Sequence, residues 1–480
     1  MPYKHGVYGE IIPSIEQITY GQGTIPVYIG TAPVHRLAEY SGAVNTPVLI
    51  NSLDEAKTKL GYVENDDFDD FTLAAVVYGH FKNKIQPIGP FIFINVLDPA
   101  THKTTGTASV TLVDGKGYID DYVILNSISI TGEVKGIDYT AEYTTDGRVL
   151  ITDIGGGLVS PVTVSFDKVD LTAVQDSDII GSYDPATGKR TGLSCVQTIY
   201  EELNIVPSIL SAPGWNHKPA VETELVSACF KIGGHWDAIC VTDIDPTNAK
   251  TIDAAINWKK TNNYTSNREK VCWPKVKVGD KTLWMSIMAI IRMQQTDYIN
   301  DGVPYESPSN KQLDITGLVL GDGTEIKLNS EDGNKLNEKG ITTAVYFGGK
   351  WVLWGPHMAN YEYGVTTKPE EIFDVNIRTN LYLTNDFQVR NASLVDTPIA
   401  RNDIDDILNT EQLRLNALIS EGKLLYGTVE FRPESNPTSD LMQGDFVFDT
   451  MVTNTPPGKS LTTRVQYTSQ GLNSLTGGEA

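Results

Sequence analysis

Strand-like and helix-like segments alternate between residues 190 and 300, and this alternation is the feature that most constrains the fold. Helical patterns at 192–203, 219–232, 248–261 and 281–295 are separated by short apolar strand patterns at 206–213, 237–246 and 270–278. Strands that alternate with helices imply a largely parallel sheet with helices on its faces. A helical pattern at 69–82, followed by an apolar run at 91–97, adds a strand to the same sheet. The sequence therefore predicts an α/β (mixed α+β) core.

A different pattern interrupts this core between residues 101 and 180. Short alternating segments such as "ASVTLVDG" and "VTVSFDKV" are separated by Asp-Gly, Gly-Gly and Ser-Pro pairs, and "TTDGRV" has the centre of a β-hairpin. This pattern predicts an inserted all-β domain, a small sandwich or barrel.

The length of 480 residues predicts two or three domains with sizeable apolar cores. We divide the chain into an N-terminal arm, a first part of the α/β core, the inserted β domain, a second part of the core, a C-terminal helix and sheet domain, and a C-terminal arm. The corresponding ranges are 1–23, 24–100, 101–182, 183–395, 396–455 and 456–480.

Charge and hydropathy exclude several classes of protein. The chain has 38 basic and 60 acidic residues, a formal net charge of −22, and such a surface repels nucleic acid. Neither a long apolar run nor a signal peptide is evident, so we expect a soluble protein that does not insert into membranes and does not use the general secretory route. The spacing of the four cysteines is typical of buried thiols in a cytoplasm: Cys195, Cys229, Cys240 and Cys272.

Motifs for catalysis and for cofactor or metal binding fail in this sequence. "DPATGKRTG" has Tyr183 where a phosphate loop needs glycine and Arg190 where it needs Ser or Thr, and Cys229, His235 and Cys240 do not have the spacing of a zinc site. We therefore expect no catalytic, cofactor-binding or metal-binding residues. One alternative stays open, because open α/β sheets bind ligands beyond the carboxyl ends of their strands. His217, Asp243 and Asp245 follow predicted strands and could line such a pocket.

A helix with clear boundaries is predicted near the C-terminus. Thr397 is its predicted N-cap, Pro398 its first residue, and Gly422 lies just past its end. Its apolar stripe indicates a face that packs on a core, formed by Ile404, Ile407, Leu408, Leu415, Leu418 and Ile419. Glu411 falls on this stripe and Leu413 projects from the opposite face, either as an isolated exposed leucine or as a contact with a second molecule.

Both chain ends have strand patterns that lie apart from the rest. Thr463, Val465 and Tyr467 alternate with polar residues, and the connector "TNTPPGKS" before them favours an extended chain over a tight hairpin. A short alternating piece also occurs at Val7, Gly9 and Ile11. These patterns leave open what a strand at the end of the chain pairs with.

Several segments together resemble the tail sheath proteins of contractile-tailed bacteriophages and related contractile injection particles, including phage tail-like bacteriocins. They are "HGVYGEIIPS" and "IPVYIGTAP" near the start, "DYTAEYTTDGRVLITD" in the β domain, "SILSAPGWNHKPAV" and "LNEKGITTAVYFGGKWVLWGPHM" in the core, and "DILNTEQLRLNALISEGKLLYGTVEFRPESNPTSDLMQGDFVFDTMV" near the end. In order, these segments cover nearly the whole chain. The family often has an arginine after "WG", where this sequence has Pro356 and His357, so no contact of that arginine is transferred.

The resemblance implies a structural subunit, not an enzyme, that polymerises as stacked six-fold rings in a helical cylinder around an inner tail tube. The cylinder contracts from a metastable extended state and drives the tube through the target cell envelope. Its other partners are the baseplate and tail terminator proteins, and it is assembled in the bacterial cytoplasm into a virion or phage-tail-like particle. An α/β enzyme with an accessory β domain and a baseplate or adhesin protein are the alternatives.

The resemblance also implies roles for particular residues. The two arms are similar to strands that leave their own subunit and join a neighbour's sheet, with the exchanged residues Val7, Tyr8, Ile11, Thr463, Val465 and Tyr467 and the hinge residues Pro456, Pro457 and Gly458. The helix 398–421 either faces the tube or is internal. Its candidate tube-facing residues are Arg401, Asp405, Glu411, Leu413 and Arg414.

Overall fold

The computed structural model describes residues 23–476. The first part of the chain contains β1 (Pro26–Gly30), β2 (Pro47–Ile50), α1 (Leu53–Leu60), α2 (Thr72–Phe81) and β3 (Phe91–Asn95). The next part contains β4 (Lys103–Val110), β5 (Lys116–Ile119), β6 (Ser129–Ile130), β7 (Tyr139–Tyr143), β8 (Val149–Asp153), β9 (Val162–Val169) and α3 (Asp176–Ile180).

The second half begins with a 3-10 segment, Gly192–Thr198, and α4 (Ile199–Leu203). It continues with β10 (Ile209–Ser211), α5 (Pro219–Ser227), β11 (Ile239–Asp243), α6 (Ile252–Thr261), β12 (Glu269–Cys272), β13 (Lys275–Val278), β14 (Lys281–Leu283) and α7 (Met285–Ile299). The remaining elements are β15 (Gly317–Val319), β16 (Glu325–Ile326), α8 (Ser330–Asn337), β17 (Ile341–Phe347), β18 (Lys350–Trp354), α9 (Pro369–Ile372), α10 (Asp374–Asn391), α11 (Arg401–Ser420), β19 (Leu424–Glu430), α12 (Thr438–Leu441) and β20 (Asp449–Asn454).

The largest sheet confirms the predicted parallel core. Its strand order is β18-β17-β12-β11-β10-β1-β3-β2, and every neighbouring pair from β17 to β3 is parallel. Only the edge strands β2 and β18 run antiparallel to their neighbours. The inner strands are short and buried along their length, as expected for a parallel sheet covered by helices. All four cysteines are buried free thiols, which confirms the prediction made for them.

The strands between residues 103 and 169 form two three-stranded antiparallel sheets, β4-β9-β6 and β5-β8-β7. These sheets enclose a hydrophobic cluster separate from the main core, composed of Val110, Ile119, Val123, Ile128, Ile130, Tyr139, Val149, Ile151, Val162, Val164 and Phe166. The predicted Asp-Gly hairpin joins β7 to β8, with Gly147 at a φ of 87°. In the chain this segment lies between β3 and β10, which both pair with β1.

One long helix was missed by the sequence prediction, which gave only loops and strands for residues 302–395. Asp374–Asn391 is a helix of 18 residues. Its buried residues include Asp374, Arg378, Asn385 and Asp386 beside apolar ones, so no apolar stripe reveals it. Ion pairs and hydrogen bonds satisfy these polar side chains within the fold, and a periodicity search cannot detect such partners.

Three predicted boundaries were also wrong. Helix α11 begins at Arg401 and not at Pro398, because the Thr397 hydroxyl donates to the Leu394 carbonyl, 2.7 Å away, and Asp403 accepts the Ala400 N–H at 2.6 Å. The strand predicted at 270–278 is divided at Pro274 into β12 and β13, which belong to different sheets. Of the helix predicted at 192–203, Gly192–Thr198 forms a 3-10 segment, and only Ile199–Leu203 is an α-helix.

Two buried glutamates lie beside the parallel sheet. Glu269 on β12 is fully buried and accepts a hydrogen bond from the Thr242 hydroxyl at 2.6 Å, and Glu222 on α5 is also buried. Burial and the neighbouring Glu222 raise the pKa of Glu269 to about 8. Burial raises the pKa of Glu222 to about 7. Both carboxyl groups therefore bind protons more tightly in the folded chain than in the unfolded chain.

These two glutamates should contribute a fall in the free energy of unfolding as the pH rises from about 5 to about 8, because the unfolded chain ionises them before the folded chain does. Glu269→Gln cannot ionise, so it should reduce this fall by about 3 kcal/mol. Urea unfolding at pH 5 and pH 8 measures the difference. Glu224→Gln is the control, because Glu224 is an exposed glutamate on α5, the helix that carries Glu222. An equal change in the free energy of unfolding between pH 5 and pH 8 in wild type and Glu269→Gln would show that burial does not raise the pKa of Glu269.

Candidate assembly interface

Strands β19 and β20 form a two-stranded antiparallel sheet of their own. Their register runs from Leu424 opposite Asn454 to Glu430 opposite Asp449, with one irregularity between Leu424 and Tyr426. Within residues 23–476 no third strand pairs with this sheet. A two-stranded sheet is marginal alone, and an unpaired edge is a template for another strand. The sheet therefore needs support from the rest of the chain and can accept a strand.

Helix α11 supplies the support. A Cβ atom built on Gly427 would lie 3.2 Å from Leu415, so the glycine allows the helix to approach β19 closely. The shared apolar cluster consists of Val303, Leu383, Leu415, Leu418, Leu424 and Val429. Ile404, Ile407, Leu415 and Leu418 of the predicted apolar stripe are buried, and Leu408 and Ile419 are partly buried. The structure therefore confirms the core-facing side of this helix.

Ion pairs hold α11 against α10. The Arg390 guanidinium lies 2.6 Å from Glu411 Oε1 and 2.8 Å from Asp386 Oδ2, and Arg414 contacts the same Asp386 oxygen at 2.5 Å. Glu411 is buried, which explains a charged residue on the apolar stripe. Glu411 and Arg414 are thus bound within the chain.

The other candidate tube-facing residues lie on the exposed side of α11. The Leu413 residue is 70% exposed, and Arg401 and Asp405 form an exposed pair at 2.8 Å. Of the five candidates, Arg401, Asp405 and Leu413 are exposed in this chain, whereas Glu411 is buried and Arg414 is bound to Asp386.

The C-terminal connector begins directly after β20 and lies against the body. The Thr455 hydroxyl donates to the Gly422 carbonyl at 2.9 Å. Residues 457–460, which include the predicted hinge residues Pro457 and Gly458, then line a cavity of about 390 Å³ together with Trp354 and Tyr363. Lys459 Nζ lies 5.6 Å from the centre of the Tyr363 ring. The connector therefore runs across the body and does not fold back along β20.

Beyond the connector, the predicted strand pairs with no other strand among residues 23–476. The exposed fractions of Leu461, Val465 and Tyr467 are 93%, 91% and 82%, and Thr463 is exposed as well. In the part of the chain that the structure describes, no strand ladder includes residues 461–467. The segment is also basic: Lys459 and Arg464 are the only charged residues between Asp449 and Glu479. An exposed segment of alternating apolar residues, positively charged in a chain of net charge −22, is suited to bind outside its own body. The N-terminal candidates Val7, Tyr8 and Ile11 lie outside the described residues.

The alternative pocket around His217 does not form a catalytic arrangement. The His217 ring stacks on Trp284, with ring centroids 5.0 Å apart, and burial lowers its pKa to about 4. Asp243 accepts the Ser286 N–H at 2.9 Å, and Asp245 accepts the Thr247 N–H at 2.8 Å. These three residues line neither the cavity beside the connector nor a second cavity, of about 220 Å³, beside Thr24 and Tyr382.

Between residues 23 and 476, His, Cys, Asp and Glu side chains form no group of three that could hold a metal ion. Within the same range, no helix is both long enough and apolar enough to cross a membrane.

The chain is similar in sequence and in fold to known proteins. No family model matches the chain. The tail sheath protein of Burkholderia phage BcepMu is 28% identical, over 99% of each chain. A chain in the cryo-EM structure of the anti-feeding prophage (AFP) baseplate has the same fold, with a TM-score of 0.57, 13% identity, and coverage of 98% of this chain and 100% of that one.

A second solved structure has the same fold. It is a chain of an extracellular contractile injection system, the PVC sheath complex in its contracted state, with a TM-score of 0.56, 12% identity, and coverage of 98% of this chain and 99% of that one. Together with the BcepMu protein, these matches confirm the resemblance to tail sheath proteins that the sequence predicted.

Proposed function

We propose that this chain, a homologue of phage tail sheath proteins, is the structural subunit of a contractile sheath in a phage or phage-tail-like particle. It polymerises as a six-fold helical cylinder around an inner tube and contracts to drive the tube through the target cell envelope. The observation that carries the proposal is the exposed segment 461–467, which has the alternation of a strand and lies in the same chain as a two-stranded sheet with no third strand within residues 23–476.

Strand exchange between copies would join these two features. A strand added to a neighbour's sheet satisfies its backbone groups in that sheet. Donor and acceptor are different surfaces here, so each copy can give a strand and receive one, and the contact can propagate as a helix. We call the two-stranded sheet of β19 and β20 the acceptor sheet. The positive charge of Lys459 and Arg464 complements acidic residues of this sheet, among them Glu430 and Asp449. The N-terminal residues Val7, Tyr8 and Ile11 form a second exchanged strand in this proposal.

The connector would keep the exchanged strand bound while the bodies move. Six residues lie between Asn454, the end of β20, and Leu461, and an extended chain of this length spans about 20 Å. Pro456 and Pro457 favour an extended chain, and Gly458 permits rotation beside them. Contraction then preserves the exchanged strands and replaces weak contacts between bodies with more extensive ones. The energy is stored in the metastable extended state, so no nucleotide is required.

The remaining parts of the chain receive roles in the same proposal. Residues 101–182 form an inserted β domain beside the α/β core, and the arms are residues 1–23 and 456–480. The exposed residues Arg401, Asp405 and Leu413 of α11 face the inner tube. Besides copies of itself and the tube protein, the partners are the baseplate, which triggers contraction, and the tail terminator. The chain binds no cofactor and catalyses no reaction.

Electron microscopy of the purified full-length protein tests the proposal. We expect hollow tubes with regular transverse striations, because the heterologous strand contact does not close on itself. Light scattering should show a mass that grows with protein concentration. Compact particles of one fixed mass at every concentration would contradict a helical polymer and favour a discrete oligomer.

A further inference from the structure

The side-chain amide of Gln412 closes one edge of the acceptor sheet. Gln412 lies on α11; its Nε2 donates to the Gly427 carbonyl at 3.0 Å, and its Oε1 accepts the Val429 N–H at 3.3 Å. The same Nε2 also donates to Asn416 Oδ1, 3.0 Å away. One amide group therefore binds the carbonyl of one β19 residue and the N–H of the residue two positions later.

This bonding pattern is that of a strand partner. In a parallel ladder, one residue donates its N–H to a carbonyl of the neighbouring strand and accepts the N–H found two residues further along that strand. The Gln412 amide supplies the same donor and the same acceptor. The Gly427 carbonyl and the Val429 N–H point to the outer side of β19, because both bond to Gln412. Backbone groups alternate in direction along a strand, so those of the intervening Thr428 point towards Met451, its opposite residue on β20.

The outer edge of β20 has no comparable cover. Thr450 and Val452 are opposite Val429 and Gly427, so their backbone groups also point away from the two-stranded sheet. Among the described residues, no side chain or second strand forms a hydrogen bond with these groups. The two edges of one sheet therefore differ: β19 is covered by Gln412, and β20 is open.

We propose that Gln412 guards the edge of β19 and so directs an incoming strand, residues 461–467 of a second copy, to the edge of β20. The proposal rests on the strand exchange proposed above. A strand added at β19 would have to displace both hydrogen bonds of Gln412, whereas a strand added at β20 displaces none. Proteins commonly protect edge strands against unwanted pairing, and here the protection leaves one edge for the specific partner.

Hydrogen exchange in the unassembled full-length protein tests whether Gln412 protects the edge of β19. We expect Gln412→Ala to raise the exchange rate of the Val429 amide at least about tenfold, because this amide loses its acceptor. Asn416→Ala is the matched control: it removes the Gln412–Asn416 bond and keeps both bonds to β19, so the Val429 rate should change less than about twofold. Gln412→Glu should protect Val429, because a carboxylate still accepts. Equal exchange rates of the Val429 amide in wild type and Gln412→Ala would show that Gln412 does not protect the outer edge of β19.

Exchange in assembled wild-type tubes tests the direction of addition. We expect the Thr450 and Val452 amides to gain protection on assembly, and the Gly427 amide, which points outward on β19, to gain none. Protection of Gly427 in wild-type tubes would overturn the proposal, and so would tubes in which neither edge gains protection. If the wild-type protein formed no tubes, the proposed function would fail, while the Val429 comparison in unassembled protein would still decide whether Gln412 closes β19.

Discussion

Deletion of residues 460–480 is expected to abolish tube formation and to leave the rest of the chain folded. The reason is that residues 461–467 are exposed and belong to no ladder within residues 23–476. Removing them exposes no apolar core, so the free energy of unfolding should change by less than about 1 kcal/mol. Polymerisation, in contrast, loses a whole strand of backbone hydrogen bonds at every subunit contact.

Sedimentation and electron microscopy measure polymerisation, and urea unfolding measures stability. Deletion of residues 472–480 is the matched control, because it shortens the same end and keeps the alternating segment; this variant should still form tubes. Val465→Pro tests the strand with one residue, since proline cannot donate a hydrogen bond to a ladder. Striated tubes from the 460–480 deletion would show that the arm is not the exchanged strand.

The parallel sheet could be predicted from the sequence because its strands and helices carry strong local signals. Strand β11, which contains Val241, is a short run of buried residues. Similar short apolar runs alternate with the helices of the core. Helix α10 could not be predicted in the same way. Arg378 on this helix forms an ion pair with Asp297 on α7, and the two residues are far apart in the sequence. Such a partner becomes visible only in the folded chain.

The candidate interface was predictable in part. The alternation of Thr463, Val465 and Tyr467 indicated a strand, and the proline connector indicated that it lies apart from β20. The difference between the two acceptor edges was not predictable, because it depends on which backbone groups point outward. A shift of one residue in the register reverses those directions, and β19 contains an irregularity between Leu424 and Tyr426. The contact of Gln412 with Gly427 likewise depends on how α11 packs on β19.

Lys270→Met is expected to lower the free energy of unfolding by about 3 to 5 kcal/mol. The Lys270 ammonium group on β12 lies 2.7 Å from Asp374 Oδ2, 2.7 Å from the Gly355 carbonyl and 3.1 Å from the His357 carbonyl. Both charged side chains are 0% exposed. The substitution would leave a buried carboxylate and two carbonyl groups without their donor, and an unpaired buried charge is strongly destabilising.

Urea unfolding of single and double variants measures this effect. Lys270→Met combined with Asp374→Leu should be more stable than Lys270→Met alone, because the double variant removes both charges from the interior. Lys368→Met is the matched control: the Lys368 side chain, which pairs with Glu371 at 3.1 Å, is 67% exposed, so the loss of this pair should lower the free energy of unfolding far less. Equal losses from Lys270→Met and Lys368→Met would show that the buried pair does not stabilise the fold.

The buried pair also connects the core to the proposed acceptor. Asp374 begins α10; further along this helix, Ile377 packs in the main core and Leu383 packs in the cluster beneath β19. A pull on a strand bound to the acceptor sheet would therefore reach the parallel sheet through α10. If Lys270→Met protein still assembles, we expect its tubes to dissociate at a lower urea concentration than wild-type tubes, with the same striation spacing, because the strand contacts are unchanged. An altered spacing would instead show that the pair sets the geometry of the polymer.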